Sequence, residues 1–263
     1  MNIASWMITL PFWLTFLIIT AIGVIIAEAG IKIGQRKQQK EEKEDGDSIG
    51  TVVGAILGFL AFMLAFTFSY TESRFANRKA LVIEQAKTLR TFYLRTSLIP
   101  EKQKNEVRKL LGEYIDLLVE TRSSSNMQAK IDRMEQIHLL IWNQTASLVN
   151  ENMDGELRSL FVDATNDMID IFSERKTVVF VYQIPNIIWA CLLLLYMLSM
   201  FILGYAFSKR KKRGIIDTPV IAAAFALIVA LIADMDSTKR VGNFQISQQP
   251  LIEVQKLIHQ QIP

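Results

Sequence analysis

Residues 49–71 read IGTVVGAILGFLAFMLAFTFSYT, and this stretch decides the fold. Its 23 residues carry no charge. Wound as a helix at about 1.5 Å per residue, they cross a hydrocarbon core about 30 Å thick. Two stripes interleave along it. One is small: Gly50, Gly54, Gly58, Ala61, Ala65 and Ser69. The other is aromatic: Phe59, Phe62, Phe66 and Tyr70. Small residues spaced by threes and fours let another helix backbone approach closely in lipid, where no hydrophobic force draws helices together. The stretch is therefore a membrane helix shaped to pack on protein.

Three further stretches can span. Residues 7–27 are uncharged, with Pro11 in the first turn. Residues 177–208 are uncharged over 32 positions, longer than one crossing requires, and Pro185 is expected to mark where the spanning helix starts. Residues 218–233 are shorter, with Thr218 and Pro219 as expected cap and first helical position, and need Met235 and its neighbours to reach both interfaces. No basic segment precedes the first apolar stretch and no small-x-small site follows it, so we read it as a retained helix rather than a cleaved leader.

Residues 72–176 are charged and helical in period throughout. Apolar stripes run through Phe75, Val82, Ala86, Leu89 and Tyr93, then Val107, Leu110, Leu111, Tyr114 and Leu118 after Pro100. A third stripe holds Met127, Ile131, Met134, His138, Ile141 and Leu148, opened by a possible capping box of Ser125 and Gln128. A fourth holds Met153, Leu157, Leu160, Ala164, Met168 and Ile171. No run alternates with period two. The expected fold is thus an all-α integral membrane protein: four transmembrane helices, with a bundle of long helices inserted between the second and third. Its first and last helices are expected to continue the second and third spans. The divisions are 1–71, with a charged loop at 28–48; the water-exposed bundle 72–176; 177–236, with a basic loop at 209–213; and a tail 237–263 whose Pro250 opens a short amphipathic helix.

Composition narrows function. The chain of 263 residues is 51% apolar and 21% charged, with a net charge of +3, too small and too local for nucleic-acid binding. A single cysteine, Cys191, lies in an apolar run, which leaves no disulfide framework and no cysteine-ligated metal site. No nucleophile motif, phosphate-cradling glycine loop or zinc spacing is present, so neither enzyme chemistry nor a cofactor or metal is expected. Of two histidines, His138 lies on an apolar stripe and reads as a core residue. The expected partners are the lipid bilayer, small inorganic ions and further copies of the chain.

Three features carry a functional expectation. Phe59, Phe62 and Phe66 either pack within the subunit or form an apolar pore constriction, which can gate by dewetting. Gly50, Gly54, Gly58, Ala61 and Ala65 are the helix-packing residues. Arg74, Arg78 and Lys79 leave the span as a solvated face or as pore-mouth cations that draw anions. Asp234 and Asp236 close the fourth span, paired with Lys239, Arg240 or a neighbouring helix or else forming a cation site, since carboxylates near membrane depth face partners or water.

The segments GAILGFLAFMLAFTFSYTESRFANRKALVIEQAKTL, FYLRTSLIP, LLGEYIDLL and LIADMDSTKRVGNFQISQQPLIEV resemble a bacterial bestrophin-like membrane family. The exit of the second span, with Tyr70, Arg74, Arg78 and Lys79, is similar more distantly to bestrophin channels. That resemblance implies a pentameric, multi-pass ion channel of the bacterial inner membrane with its second span lining an apolar neck, and the Arg and Lys at the span exit favour anions over cations. A non-conducting scaffold or signalling protein that binds a partner through its helical domain is the alternative. Orientation is contested. Lys32, Arg36, Lys37, Lys40 and Lys43, with the cluster 209–213, place both short loops in the cytoplasm. The resemblance places the bundle there instead, and we prefer it.

Overall fold

The computed structural model describes residues 10–38, 46–120, 126–208, 216–237 and 244–260. Every regular element among them is helical: α1 (Phe12–Gln38), α2 (Gly46–Arg95), α3 (Glu101–Glu120), α4 (Met127–Ser147), α5 (Gly155–Phe180), α6 (Asn186–Phe207), α7 (Asp217–Asp236) and α8 (Gln249–Gln260). Of these α1, α2, α6 and α7 are long and apolar enough to cross a membrane. The chain divides into two compact units, residues 1–76 with 183–245 and residues 77–182 with 246–263.

In the first unit α1 packs on both α6 and α7. Gly23 faces Tyr196 and Ala222, Gly30 faces the backbone of Phe201 and Tyr205, Gly34 faces Ser208, and Gly204 lies on the backbone of Ala27. A methyl group at any of the four would collide with these atoms, so the two helices meet backbone to backbone. The contacts advance together along both chains, so α1 and α6 run parallel. The Tyr196 hydroxyl closes the seam by donating to the Ile19 carbonyl at 3.1 Å, with the Ala222 carbonyl at 3.4 Å. In lipid, an unsatisfied hydroxyl would cost more than this bond gains in water.

Proline decides where α6 begins. Residues 182–185 are non-helical and Pro185 caps the helix that starts at Asn186. Proline's missing N–H suits a first turn, and its ring pushes the preceding residue out of helical conformation. The last bundle helix therefore stops at Phe180 instead of continuing into the third span, whereas α2 does continue unbroken from Gly46 to Arg95. The fourth span starts two residues earlier than its capping signal indicates: Ile216 is the cap, and Thr218 lies buried inside the first turn. The loop expected at 28–48 is shorter, because α1 runs on to Gln38. Ser125, Lys40, Lys43, the basic cluster 209–213, Lys239 and Arg240 lie outside the described residues.

The second unit has its own core, built from the tail of α2 with α3, α4, α5 and α8. It gathers Leu89, Phe92, Tyr93, Leu111, Tyr114, Ile137, Phe161, Met168, Leu251 and Val254, among others. On α5 the face differs from the sequence stripe. Phe161 is buried, stacked on Phe92 at 5.4 Å and in register with Ala164, Met168 and Ile171, while Leu157 and Leu160 are exposed. The short α8 seats Leu251, Val254 and Ile258 in the core, and its Gln255 and His259 both reach the Asp116 carboxylate of α3, at 2.7 and 2.8 Å. Arg175 of α5 donates to the Gln85 and Gln248 side-chain carbonyls, which ties α2 and the approach to α8 to the same guanidinium.

Candidate functional site

The membrane part of α2 has three faces. At 100° per residue, Val53, Leu60, Leu64, Thr67 and Thr71 fall on one line, the small residues on a second and the aromatics on a third, with centres about 120° apart. Only the first face is covered by the chain itself. Its two threonines return their hydroxyls to their own helix, Thr67 donating to the Met63 carbonyl at 2.8 Å and Thr71 to the Thr67 carbonyl at 2.7 Å. That satisfies both groups without a partner from another helix.

Among the described residues the other two faces are left open. A Cβ built on Gly50, Gly54 or Gly58 has no atom within 4 Å, and Ala61 and Ala65 are exposed. Phe59, Phe62 and Phe66 are 54%, 64% and 62% exposed, and Tyr70 continues their line. Packing of these glycines and phenylalanines inside the subunit, the plainer of the two readings, is thus not what the described residues do. The glycines that do make close contacts are Gly23, Gly30, Gly34 and Gly204, which the stripe in α2 overshadowed. Their signal was present: Gly23, Ala27, Gly30 and Gly34 repeat the same small-residue spacing in the first span.

At the exit of α2 the three cations part ways. Arg74 is ion-paired with Asp236 at 2.9 Å, with the side chains only 13% and 1% exposed. The guanidinium also stands 5.8 Å from the centre of the Tyr70 ring. Arg78 is buried, and Lys79 alone is exposed. Asp236 lies also 3.4 Å from the Ile184 amide, and Asp234 is buried beside it on α7. Arg74 and Asp236 therefore neutralise one another, which takes Arg74 away from the role of a free pore-mouth cation and Asp236 away from that of an open cation ligand. Sequence reasoning paired Asp236 with Lys239 or Arg240 or a neighbouring helix, and the partner is 162 positions away.

In the second unit His138 is held between the rings of Tyr114, at 5.1 Å, and Phe172, at 4.8 Å. Its Nε2 is buried without a hydrogen-bond partner. Burial lowers its pKa to about 4; the Glu135 carboxylate acts in the opposite sense, and Lys176 adds to the lowering. Tyr114, fully enclosed, has its hydroxyl pushed well above the usual range by burial, although it accepts from Gln85 at 3.3 Å. This is an aromatic core with His138 kept neutral by burial, as its position on an apolar stripe indicates.

Four apolar helices, one of them bare on two faces, define a multi-span helical membrane protein. The chain belongs to the Bestrophin-like family: that domain matches residues 15–251. Its fold is shared by a bacterial bestrophin homolog from Klebsiella pneumoniae. A point-mutant crystal structure of that protein has a TM-score of 0.70 at 12% identity, over 93% of this chain and 98% of the other. The structure phased on zinc has a TM-score of 0.68 at 13% identity, over 93% and 97%. No curated protein sequence matches the chain.

Proposed function

We propose that the protein is an oligomeric ion channel whose second span lines an apolar neck. The observation that carries this is the division of α2 into one covered and two uncovered faces. A lone helix in lipid has no reason to keep Gly50, Gly54 and Gly58 in line, because small side chains forgo contact area unless a backbone comes close. A neighbouring copy on the small face would leave the aromatic face, about 120° further round, directed at a central axis. Phe59, Phe62 and Phe66 would then form successive apolar rings, narrow enough to exclude water when closed. Family analogy supports five copies. It also supports a water-exposed helical domain at 72–176 on the cytoplasmic side, between a membrane part of 1–71 and 177–236, with the tail 237–263 beyond.

Anions are favoured over cations because Lys79 is the exposed member of the three exit cations, and a ring of lysines would concentrate anions at the mouth. Purified protein of measured oligomeric mass, reconstituted into liposomes, should pass halide; correct rings that pass none would overturn the reading. A periplasm-only reporter at Asn126 should stay silent, and activity there would reverse the orientation. A second reading is a partner-binding scaffold, favoured by Leu139, Trp142 and Val149, which stand exposed on the outer side of α4 and the turn after it. Stoichiometric capture of a soluble partner by silent rings would select it.

A further inference from the structure

The pair Arg74–Asp236 is more enclosed than three other ion pairs among the described residues. Lys87–Glu84, Lys130–Glu120 and Arg133–Glu113 each leave at least one side chain largely in solvent, where pairing contributes little. Asp236 is the last residue of α7, where the helix's unsatisfied carbonyls already carry negative charge, and buried Asp234 lies in the same turn. Two negative contributions, the Asp236 carboxylate and the helix end, thus meet at one place with little access to water. A buried charge there persists only if it is matched. The Arg74 guanidinium at 2.9 Å matches it, and the Ile184 amide adds a weaker contact at 3.4 Å. Ile184 belongs to the non-helical link just before α6. One carboxylate therefore gathers three segments: the exit of α2, the end of α7 and the start of α6.

Arg74 also follows Tyr70 by four residues, one turn on, and stands against its ring. Tyr70 ends the aromatic line of Phe59, Phe62 and Phe66. Its side of the helix is the border between the covered face and the aromatic face. Whatever holds Arg74 thus also fixes the rotation of α2 about its own axis, which sets where the aromatic face points. The buried line of Val53, Leu60 and Leu64 and the edge-on contact of Phe75 with Phe244 act on the same rotation, and the Arg74 pair is the charged contact among them.

We propose that Arg74 and Asp236 form a latch that holds the exit of α2 in one rotational setting against the end of α7, and that releasing it frees the aromatic face to move. Its consequence for conduction rests on the channel reading above; its structural half does not. The two partners are unequal. Removing Arg74 takes its guanidinium from a carboxylate that is almost fully buried at a helix C-terminus. Removing the Asp236 charge leaves a guanidinium that keeps some water and the Tyr70 ring. Arg74→Gln should therefore loosen α2 more than Asp236→Asn, and the double variant should be milder than Arg74→Gln alone.

The test compares R74Q, D236N, the double variant and the reversed pair R74D/D236R, each in nanodiscs, with E120Q as a surface control. Amide hydrogen exchange over 68–78 should rise at least tenfold in R74Q and less in D236N, fall back towards wild type in the double variant, and stay unchanged in E120Q. Exchange within twofold of wild type in both single variants overturns the latch, as does a double variant looser than R74Q. If R74Q fails to assemble, D236N and the double variant decide by the same criteria. Halide flux is measured on the same samples. Open probability altered severalfold in D236N supports control of the aromatic face; conducting wild type with unchanged flux in a loosened D236N overturns that control. Wild type that passes no halide counts against the channel reading alone, and the exchange result still decides the latch.

Discussion

Protonation of His138 should loosen the helical unit, and the size of the effect follows from its surroundings. The imidazole is buried between Tyr114 and Phe172 with Nε2 unbonded, so a second proton would place a charge where no acceptor waits. Glu135 and Lys176 pair with each other nearby and act on the ring in opposite directions, which leaves burial as the dominant cause. The folded pKa of about 4 lies below the ordinary value of 6.5. A depressed histidine means the unfolded chain binds the proton more readily. The contribution is fully present above about pH 6.5, is lost as pH falls toward 4, and changes no further below that. At about 1.4 kcal/mol per pKa unit, the loss between pH 7.5 and pH 4 is about 3 kcal/mol. His138→Phe removes this titration while keeping an aromatic ring in the gap. Pulse proteolysis in urea on the full-length protein in detergent should show the wild-type helical unit losing about 3 kcal/mol more than the variant over that interval. Carboxylates titrate in both proteins and cancel in the difference; Glu113, held low by its hydrogen bond from Arg133, is one of them. Equal pH slopes in the two proteins would refute the argument.

The remaining predictions separate the chain's own packing from contacts between copies. Gly204→Leu should destabilise the membrane unit by about 3 kcal/mol or more, because the collision is with Ala27 backbone and cannot be relieved by a rotamer change; thermal unfolding in detergent reads it. Gly54→Leu should leave that unfolding unchanged, since nothing in the subunit lies within 4 Å, yet lower the oligomeric mass; an unaltered ring would remove the small face from assembly. Phe62→Ala should raise or deregulate halide flux severalfold, and an unchanged current would take it out of the neck. Lys79→Glu should shift the reversal potential toward cations, with no shift if the exit cations do not face the permeating ion.

Much of this protein lies in local patterns that a sequence displays directly. Apolar length marks α1, α2, α6 and α7 as spans, since the bilayer sets a minimum run that few soluble helices reach. Proline marks the start of α6 because the constraint is covalent and acts on the adjacent residues. The buried lines of Val82, Leu89 and Tyr93, or of Val107, Leu111 and Tyr114, follow from a period of 3.6. Family membership is carried by the same segments. What only the tertiary structure decided is which face meets which. The small stripes of α1 and α2 look alike on paper, yet Gly23, Gly30 and Gly34 bind α6 while Gly50, Gly54 and Gly58 have no neighbour within reach of a Cβ among the described residues. Arg74 finds Asp236 across 162 positions, and no spacing rule reaches that far. Periodicity fixes a face relative to its own helix; the rotation of that helix against its neighbours is set by contacts between segments remote in sequence, and those exist only once the chain has folded.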